Sequence, residues 1–393
     1  MADLLSKLRM LDISPTKGVP AAPLQAGEAT AGCYHAHAIF PLSTFTDRRY
    51  ATPEVLQSIF GCSFPHQVLP EDILFLDTET TGLSGGAGTV AFEIGLGYFT
   101  PSGFVVEQYL MHDYSQEPEL LHALCTLMKR FTVLCTFNGR AFDVPLLKSR
   151  LIMNRFKQVC FPDAHADVLF PARRLWKLRL KQCTLAHLEE QLLHVVRTGD
   201  LPGALVPQAY FAYLKSGNFE PLLDVLSHNK QDIVSLAQLF YYLCYQVSCP
   251  EKMTEGEDLL SLARMLEKSK EDQKATKCYR LCSSGAQRAE AFEAMALAQK
   301  RQGKTEAAIK LYHAMAMRGD NAVNAYEALA KLYEHQLKNP EQALHYTRQA
   351  LLLLSEPTLF ASEAVQERQI ELQYRYARLR RKLCTAPSAS NLL

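Results

Sequence analysis

Asp77 and Glu79 stand two residues apart where an apolar run ends, in ILFLDTETTGL over residues 73 to 83. If Ile73 to Leu76 is a buried strand, side chains at positions 77 and 79 leave the same face of it. Two carboxylates so placed repel each other unless a cation lies between them. Oxygen donors favour a hard divalent cation such as Mg²⁺ or Mn²⁺. Two further groups could complete such a site. Asp143 closes Asn138-Gly139-Arg140-Ala141-Phe142-Asp143, which follows the apolar run VLCTF and opens a helix, where an acid could also cap. His228 and Asp232, in His228-Asn229-Lys230-Gln231-Asp232, are four apart and share one helix face. Alone, each has a plain reading: a loop acid pair, a helix cap, a surface histidine. Together they leave the metal reading open beside these plain ones.

The positioning elements can be read from the pattern. Apolar runs at Ile73–Asp77, Val90–Phe99 and Phe104–Met111 predict strands, the last two joined by Thr-Pro-Ser-Gly at 100 to 103. Thr132–Phe137 and Ala166–Phe170 predict two more. Helical period marks residues 53–60, Glu117–Phe131, Val144–Phe156, Leu185–Leu193 and Lys230–Gln246. A meander followed by alternating helices and strands predicts an α/β (α+β) mixed sheet flanked by helices. Beyond about residue 254 the strand signal stops and a repeat begins. Ala263, Ala296 and Ala330 recur, as do Ala275, Ala308 and Ala343, at spacings of 33 to 35. Tyr279 and Tyr312 follow the second series by four residues, where Thr347 stands in the third copy. Small residues at this period let paired helices approach, as in tetratricopeptide repeats.

The expected organisation is a flexible tail over 1–35, a lead-in segment over 36–72, a sheet domain over 73–250, tetratricopeptide-like helical repeats over 254–384 and a disordered tail over 385–393. A short amphipathic helix is expected within the first tail, at Leu4 to Leu11. With 393 residues and 48% apolar composition the chain can bury two or three cores. It has no 18-residue apolar run and no secretory signal pattern, so no membrane association is expected. Eleven scattered cysteines without a CxxC pair point to thiols in a reducing, cytoplasmic setting. A net charge of +1 neither requires nor excludes nucleic acid.

Taken together, D-x-E, N-x₃-F-D and H-x₃-D resemble the three motifs of the DEDD exonucleases, which have the ribonuclease-H-like fold. DTETTGLSGGAGTVAFEIGLGYF, VLCTFNGRAFDVPLL, PARRLW and HNKQDIVSLAQL are similar to the YprB-type ribonuclease-H-like family over roughly residues 70 to 245. Some of its members carry C-terminal tetratricopeptide-like helices. The resemblance implies a 3′–5′ exonuclease acting on single-stranded DNA or RNA. It implies that Asp77, Glu79, Asp143 and Asp232 hold two Mg²⁺ or Mn²⁺ ions, with His228 taking a proton from the attacking water. His228 departs from the pattern: three residues separate it from Asp232, the spacing at which one subclass has Tyr, whereas the His subclass has four.

Further contacts are expected around this set. The resemblance places Thr80 and Leu83 at the terminal nucleotide, with Leu83 as a wedge, and Asn138 beside them. The Gly-rich loop at 84 to 89 would let backbone amides approach phosphate. Arg173, Arg174, Lys177, Arg179 and Lys181 put five cations in nine residues, able to steer a strand, with Trp176 among them as a stacking surface or a core residue. Asp167 is expected to support the site without touching substrate. Two other readings stay open: a retired nuclease fold that binds nucleic acid or, through the repeats, a protein partner, and an endonuclease.

Overall fold

The computed structural model describes residues 32–82, 88–157, 161–197, 199, 201–282, 286–355 and 363–385. Residues 1–31 of the first tail, with the helix expected at Leu4 to Leu11, Leu83 and most of the Gly-rich loop lie outside the described residues, as does the last tail beyond Thr385. The chain divides into two compact units, one ending at Lys252 and one beginning at Met253.

The first unit is built on a six-stranded sheet. Its strands are β1 (Tyr34–Phe40), β2 (Ile73–Thr80), β3 (Ala91–Thr100), β4 (Gly103–Leu110), β5 (Val133–Thr136) and β6 (Ala164–Asp167). They lie in the order β1-β4-β3-β2-β5-β6. β2, β3 and β4 form the expected antiparallel meander, whereas β5 and β6 run parallel to β2. The mixed sheet with flanking helices agrees with the expected fold class.

The largest differences from the sequence reading are at the first and last strands, while β2 also runs three residues past the expected Asp77 to Thr80. β1 pairs antiparallel with β4 from Tyr34 to Phe40, so the sheet reaches into the segments expected to be tail and lead-in. The last strand ends at Asp167 rather than Phe170. The Asp167 carboxylate accepts from the Leu169 amide at 3.2 Å, where helix α4 (Leu169–Leu180) begins. Before it come α1 (Pro53–Phe60), α2 (Glu117–Met128) and α3 (Asp143–Met153), and after it α5 (Leu185–Leu188), which runs into a π-helical turn over Glu189–Leu193. Then follow α6 (Val206–Ser216) and α7 (Glu220–Ser248). The last helix starts ten residues before the expected Lys230, at a site where Asn218 Oδ1 accepts from the Glu220 amide at 3.1 Å.

Strand alternation sends β2 side chains to two layers. Leu74 and Leu76 join a core with Leu120, Leu124, Leu147, Leu151 and Tyr210 from α2, α3 and α6. Ile73 and Phe75 face the other way, and Phe75 meets Phe240 of α7 edge-on at 5.7 Å. Burying a Phe of this size contributes on the order of 2 kcal/mol. That same face continues to Asp77 and Glu79, so α7 is the helix that covers the acidic pair.

The approach of α7 is set by two glycines. Gly95 and Gly97 of β3 pair with Asp77 and Phe75. A Cβ on Gly95 would lie 2.0 Å from Asn229 Oδ1, and one on Gly97 would lie 2.5 Å from Ile233 Cγ2. Asn229, Ile233 and Phe240 fall on one face of α7 by helical spacing. The small residues of EIGLGY therefore seat this helix directly on the sheet.

The second unit contains α8 (Gly256–Lys268), α9 (Asp272–Cys282), α10 (Arg288–Arg301), α11 (Thr305–Arg318), α12 (Ala322–His335), α13 (Pro340–Leu354) and α14 (Glu363–Thr385). All six recurring alanines are buried in these helices. Tyr279, Tyr312 and Thr347 are buried as well, so the periodic positions form the helix-to-helix core.

Candidate active site

Asp77 and Glu79 end β2 at the sheet edge where β5 also ends, since the two strands are parallel. A ligand site in a sheet of this kind lies beyond the carboxyl ends of such strands. A cleft of about 370 Å³ opens there, lined among others by Asp77, Glu79, Asp143, His228 and Asp232. Four carboxylates from β2, α3 and α7 thus share one cavity. Ligand atoms of Glu79, His228 and Asp232 lie within 4.8 Å of one another, close enough to hold one ion.

Each acid is held by local structure. Asp77 accepts from Asn229 Nδ2 at 3.0 Å, a contact that needs the bare Cα of Gly95. Asp143 is the first residue of α3 and accepts from Thr78 Oγ1 at 2.6 Å. The residue before it, Phe142, offers no capping side chain; a carboxylate in the first helical turn still gains from the aligned peptide dipoles. Asp232 lies one helical turn after His228, and His228 Nε2 is 3.5 Å from Asp232 Oδ2 and 3.9 Å from Glu79 Oε1.

The electrostatics are those of crowded anions. Burial, then repulsion from Asp232, Asp143 and Glu79, pushes the Asp77 carboxyl well above the usual range, against the Asn229 hydrogen bond. Burial likewise raises Asp143 to about 6, with the Thr78 hydrogen bond opposing it. Beneath them lies a fifth acid, Glu93, fully buried and opposite Glu79 in the β2–β3 register. Burial raises Glu93 to about 8. Gln108 Nε2 donates to Glu93 Oε1 at 2.8 Å and lies 3.2 Å from Asn229 Oδ1, which ties this floor to Asp77. Glu93 Oε2 has no hydrogen-bond partner among the described residues. Four carboxylates under this much mutual repulsion fit a hard divalent cation.

The expected substrate contacts divide. Thr80 and Asn138 line the cleft. Asn138 takes a left-handed conformation, φ 70°, and its amide donates to Asp167 Oδ1 at 2.8 Å. The Arg140 amide donates to the other oxygen of Asp167 at 3.0 Å. Buried Asp167 thereby shapes the loop that delivers Asp143. Leu83 lies outside the described residues. Arg173, Arg174 and Lys177 are exposed on α4 and do not line the cleft. Trp176 corrects the expectation of a stacking surface: it is 1% exposed, packed at 6.1 Å on Tyr242, and cannot receive a base.

Several residues of the site escaped the sequence reading, Glu93, Asn229, Arg197 and Glu189 among them. Asn229 sits inside the HNKQD string, and the glycines opposite it were the available sign. Arg197 pairs with Glu189 Oε2 at 2.6 Å and with Asp232 Oδ1. Burial alone would lower the Arg197 guanidinium; its bonds to these two acids overcome that and push it up. Glu189 is 1% exposed on the π-helical turn and accepts from the Ser235 hydroxyl. A single arginine between helices has no period or motif that would mark it.

Residues 74–244 of the chain match the RNase H superfamily, against the 70 to 245 expected. The chain is also 31% identical over 334 residues to the uncharacterized protein YprB of Bacillus subtilis (strain 168), covering 79% of this chain and 75% of the relative.

Proposed function

The chain belongs to the RNase H superfamily, and from that premise we propose that it is a divalent-metal-dependent nuclease, acting as a 3′–5′ exonuclease on single-stranded DNA or RNA. The observation that carries this reading is the convergence of Asp77, Glu79, Asp143 and Asp232 on one cleft. These four would hold two Mg²⁺ or Mn²⁺ ions. When bound, such ions supply an activated water and offset the charge that grows on the scissile phosphate.

The protein's own part is positioning. Asn229 and Thr78 fix the Asp77 and Asp143 carboxylates. Thr80 and Asn138 line the wall along which a terminal nucleotide would lie. Exposed Arg173, Arg174 and Lys177 would draw the strand in through its phosphates. The helices of the second unit, with buried alanines at a 33- to 35-residue period, would be tetratricopeptide-like repeats offering a surface to a protein partner.

The test is product analysis on matched DNA and RNA oligomers with Mn²⁺ or Mg²⁺, each as a linear and a circular strand. Mononucleotides released from linear strands only, and lost in Asp77→Ala, are expected. Cleavage of circles would show an endonuclease. No cleavage of any strand by the wild type, or full activity in Asp77→Ala, would contradict the reading and favour a binding scaffold.

A further inference from the structure

Asp77, Gly95 and Gln108 stand side by side across β2, β3 and β4. Residues in one such row share a face of the sheet, here the face that α7 covers. The row has a gap, because Gly95 has no side chain. Asn229 of α7 comes down into that gap, where a Cβ on Gly95 would lie 2.0 Å from its Oδ1. Gln108 and Asn229 are both buried, so neither can turn to bulk water for a partner. Gln108 belongs to none of the acidic motifs and stands two strands away from Asp77.

The polarity of the row is set at its far end. The amide end of Gln108 lies 2.7 Å from the backbone carbonyl oxygen of Leu226, three residues before Asn229 on α7. A backbone carbonyl only accepts, so the atom that meets it is Nε2, whatever the charge on the neighbouring Glu93. The same nitrogen lies 2.8 Å from Glu93 Oε1 and 3.2 Å from Asn229. An amide nitrogen only donates, so Asn229 turns its oxygen to Gln108. Its nitrogen then falls on the other side and donates to Asp77 Oδ2 at 3.0 Å. A reversed Asn229 would set two donors against each other and an oxygen against the carboxylate.

We propose that Gln108 is a positioning residue for the metal site: it orients the Asn229 amide and, through it, the Asp77 carboxylate. Gln108 itself would touch neither substrate nor cation. The proposal rests on the metal site of the nuclease reading and not on any cleavage step. With Oδ2 held by a directed N–H, the plane of the Asp77 carboxylate is held as well. Mg²⁺ demands its oxygens at near-ideal positions, so that plane bears on affinity. Partners that orient metal-binding side chains usually matter by ten- to a hundredfold in affinity.

Mn²⁺ titration of the metal-free full chain in a double-mutant cycle tests this. Gln108→Met keeps the side-chain size and removes the donor. It should weaken Mn²⁺ binding by about tenfold, the lower end of that scale. Asn229→Ala should weaken it at least as much. In the Asn229→Ala background Gln108→Met should have no further effect on affinity, because its route to Asp77 is gone. A Gln108 that serves only packing would change melting temperature and leave affinity alone. Unchanged affinity in Gln108→Met, or the same loss in both backgrounds, would overturn the proposal. Neutron diffraction from deuterated, metal-free wild-type crystals gives a second reading that needs no variant. The deuterated nitrogen of Asn229 should face Asp77; if it faces Gln108, the proposal falls even where Gln108→Met does not fold. Affinities that follow this cycle in a chain that cleaves no strand would sink the nuclease reading and leave the role of Gln108 standing.

Discussion

At the level of single residues, burial and mutual repulsion make ionised acids costly in this cleft. Asp143 is raised from 3.8 to about 6, and Glu93 from 4.5 to about 8. A carboxyl whose pKa is raised by folding binds its proton more tightly in the folded state than in the unfolded one. Its contribution to stability is therefore intact at low pH and lost as pH rises from the unfolded value through the folded one. The metal-free protein should thus lose on the order of a few kcal/mol between pH 4 and pH 8, since each tenfold gain in proton affinity is worth about 1.4 kcal/mol. Asp143→Asn should remove the part of that loss below about pH 6, and Mn²⁺ should restore stability at pH 7 because it binds the ionised form. Melting curves in chelator across this range check both; stability that rises with pH there, through these groups, would overturn the expectation. The acids that share the cleft were legible in the sequence only as a set: each has a plain reading alone, and their number and order resemble the three motifs of a known nuclease family. Arg197 was not legible. Its place depends on a fold in tertiary space that brings it to Glu189 and Asp232 at once, and no local pattern encodes that.

Among the elements, the geometry turns on how closely α7 lies against β3. Gly95 and Gly97 remove two side chains where Asn229 and Ile233 come down. Gly95→Ala should cost on the order of 1–3 kcal/mol by overpacking and should also weaken Mn²⁺ binding, because Asn229 must leave Asp77. Chemical denaturation together with calorimetry checks this; a variant with unchanged metal affinity would show that Asn229 does not position Asp77. The meander was legible because β2, β3 and β4 begin or run through continuous apolar stretches and the Thr-Pro-Ser-Gly turn punctuates the last two. β1 was not, since YHAHAIF is weakly apolar and pairs with β4, which lies far along the chain. The end of β6 was misread because Val168, Leu169 and Phe170 suit a strand, whereas the Asp167 carboxylate ends it by starting α4. Trp176 was ambiguous for a related reason: its flanking cations are exposed while its ring is buried, and composition alone does not separate the two faces of a helix.

For the molecule as a whole, the acidic site belongs entirely to the unit that ends at Lys252. A fragment of residues 1–252 should fold cooperatively and bind Mn²⁺ about as tightly as the full chain; a fragment that folds but binds no metal would contradict this division of labour. The helical unit was legible by its period, because small residues recurring at 33 to 35 residues have a packing meaning wherever they occur. Whether it offers a surface to a partner has no such signature. Everything proposed for the cleft depends on four carboxylates from three elements making one divalent-cation site. Titration of the metal-free full chain with Mn²⁺ in a calorimeter puts that dependence to the sharpest test. Two ions should bind per wild-type chain, and binding should be lost in Asp77→Asn and Asp143→Asn. A wild-type chain that binds no Mn²⁺, or variants that bind it as the wild type does, would show that the four acids do not form a metal site.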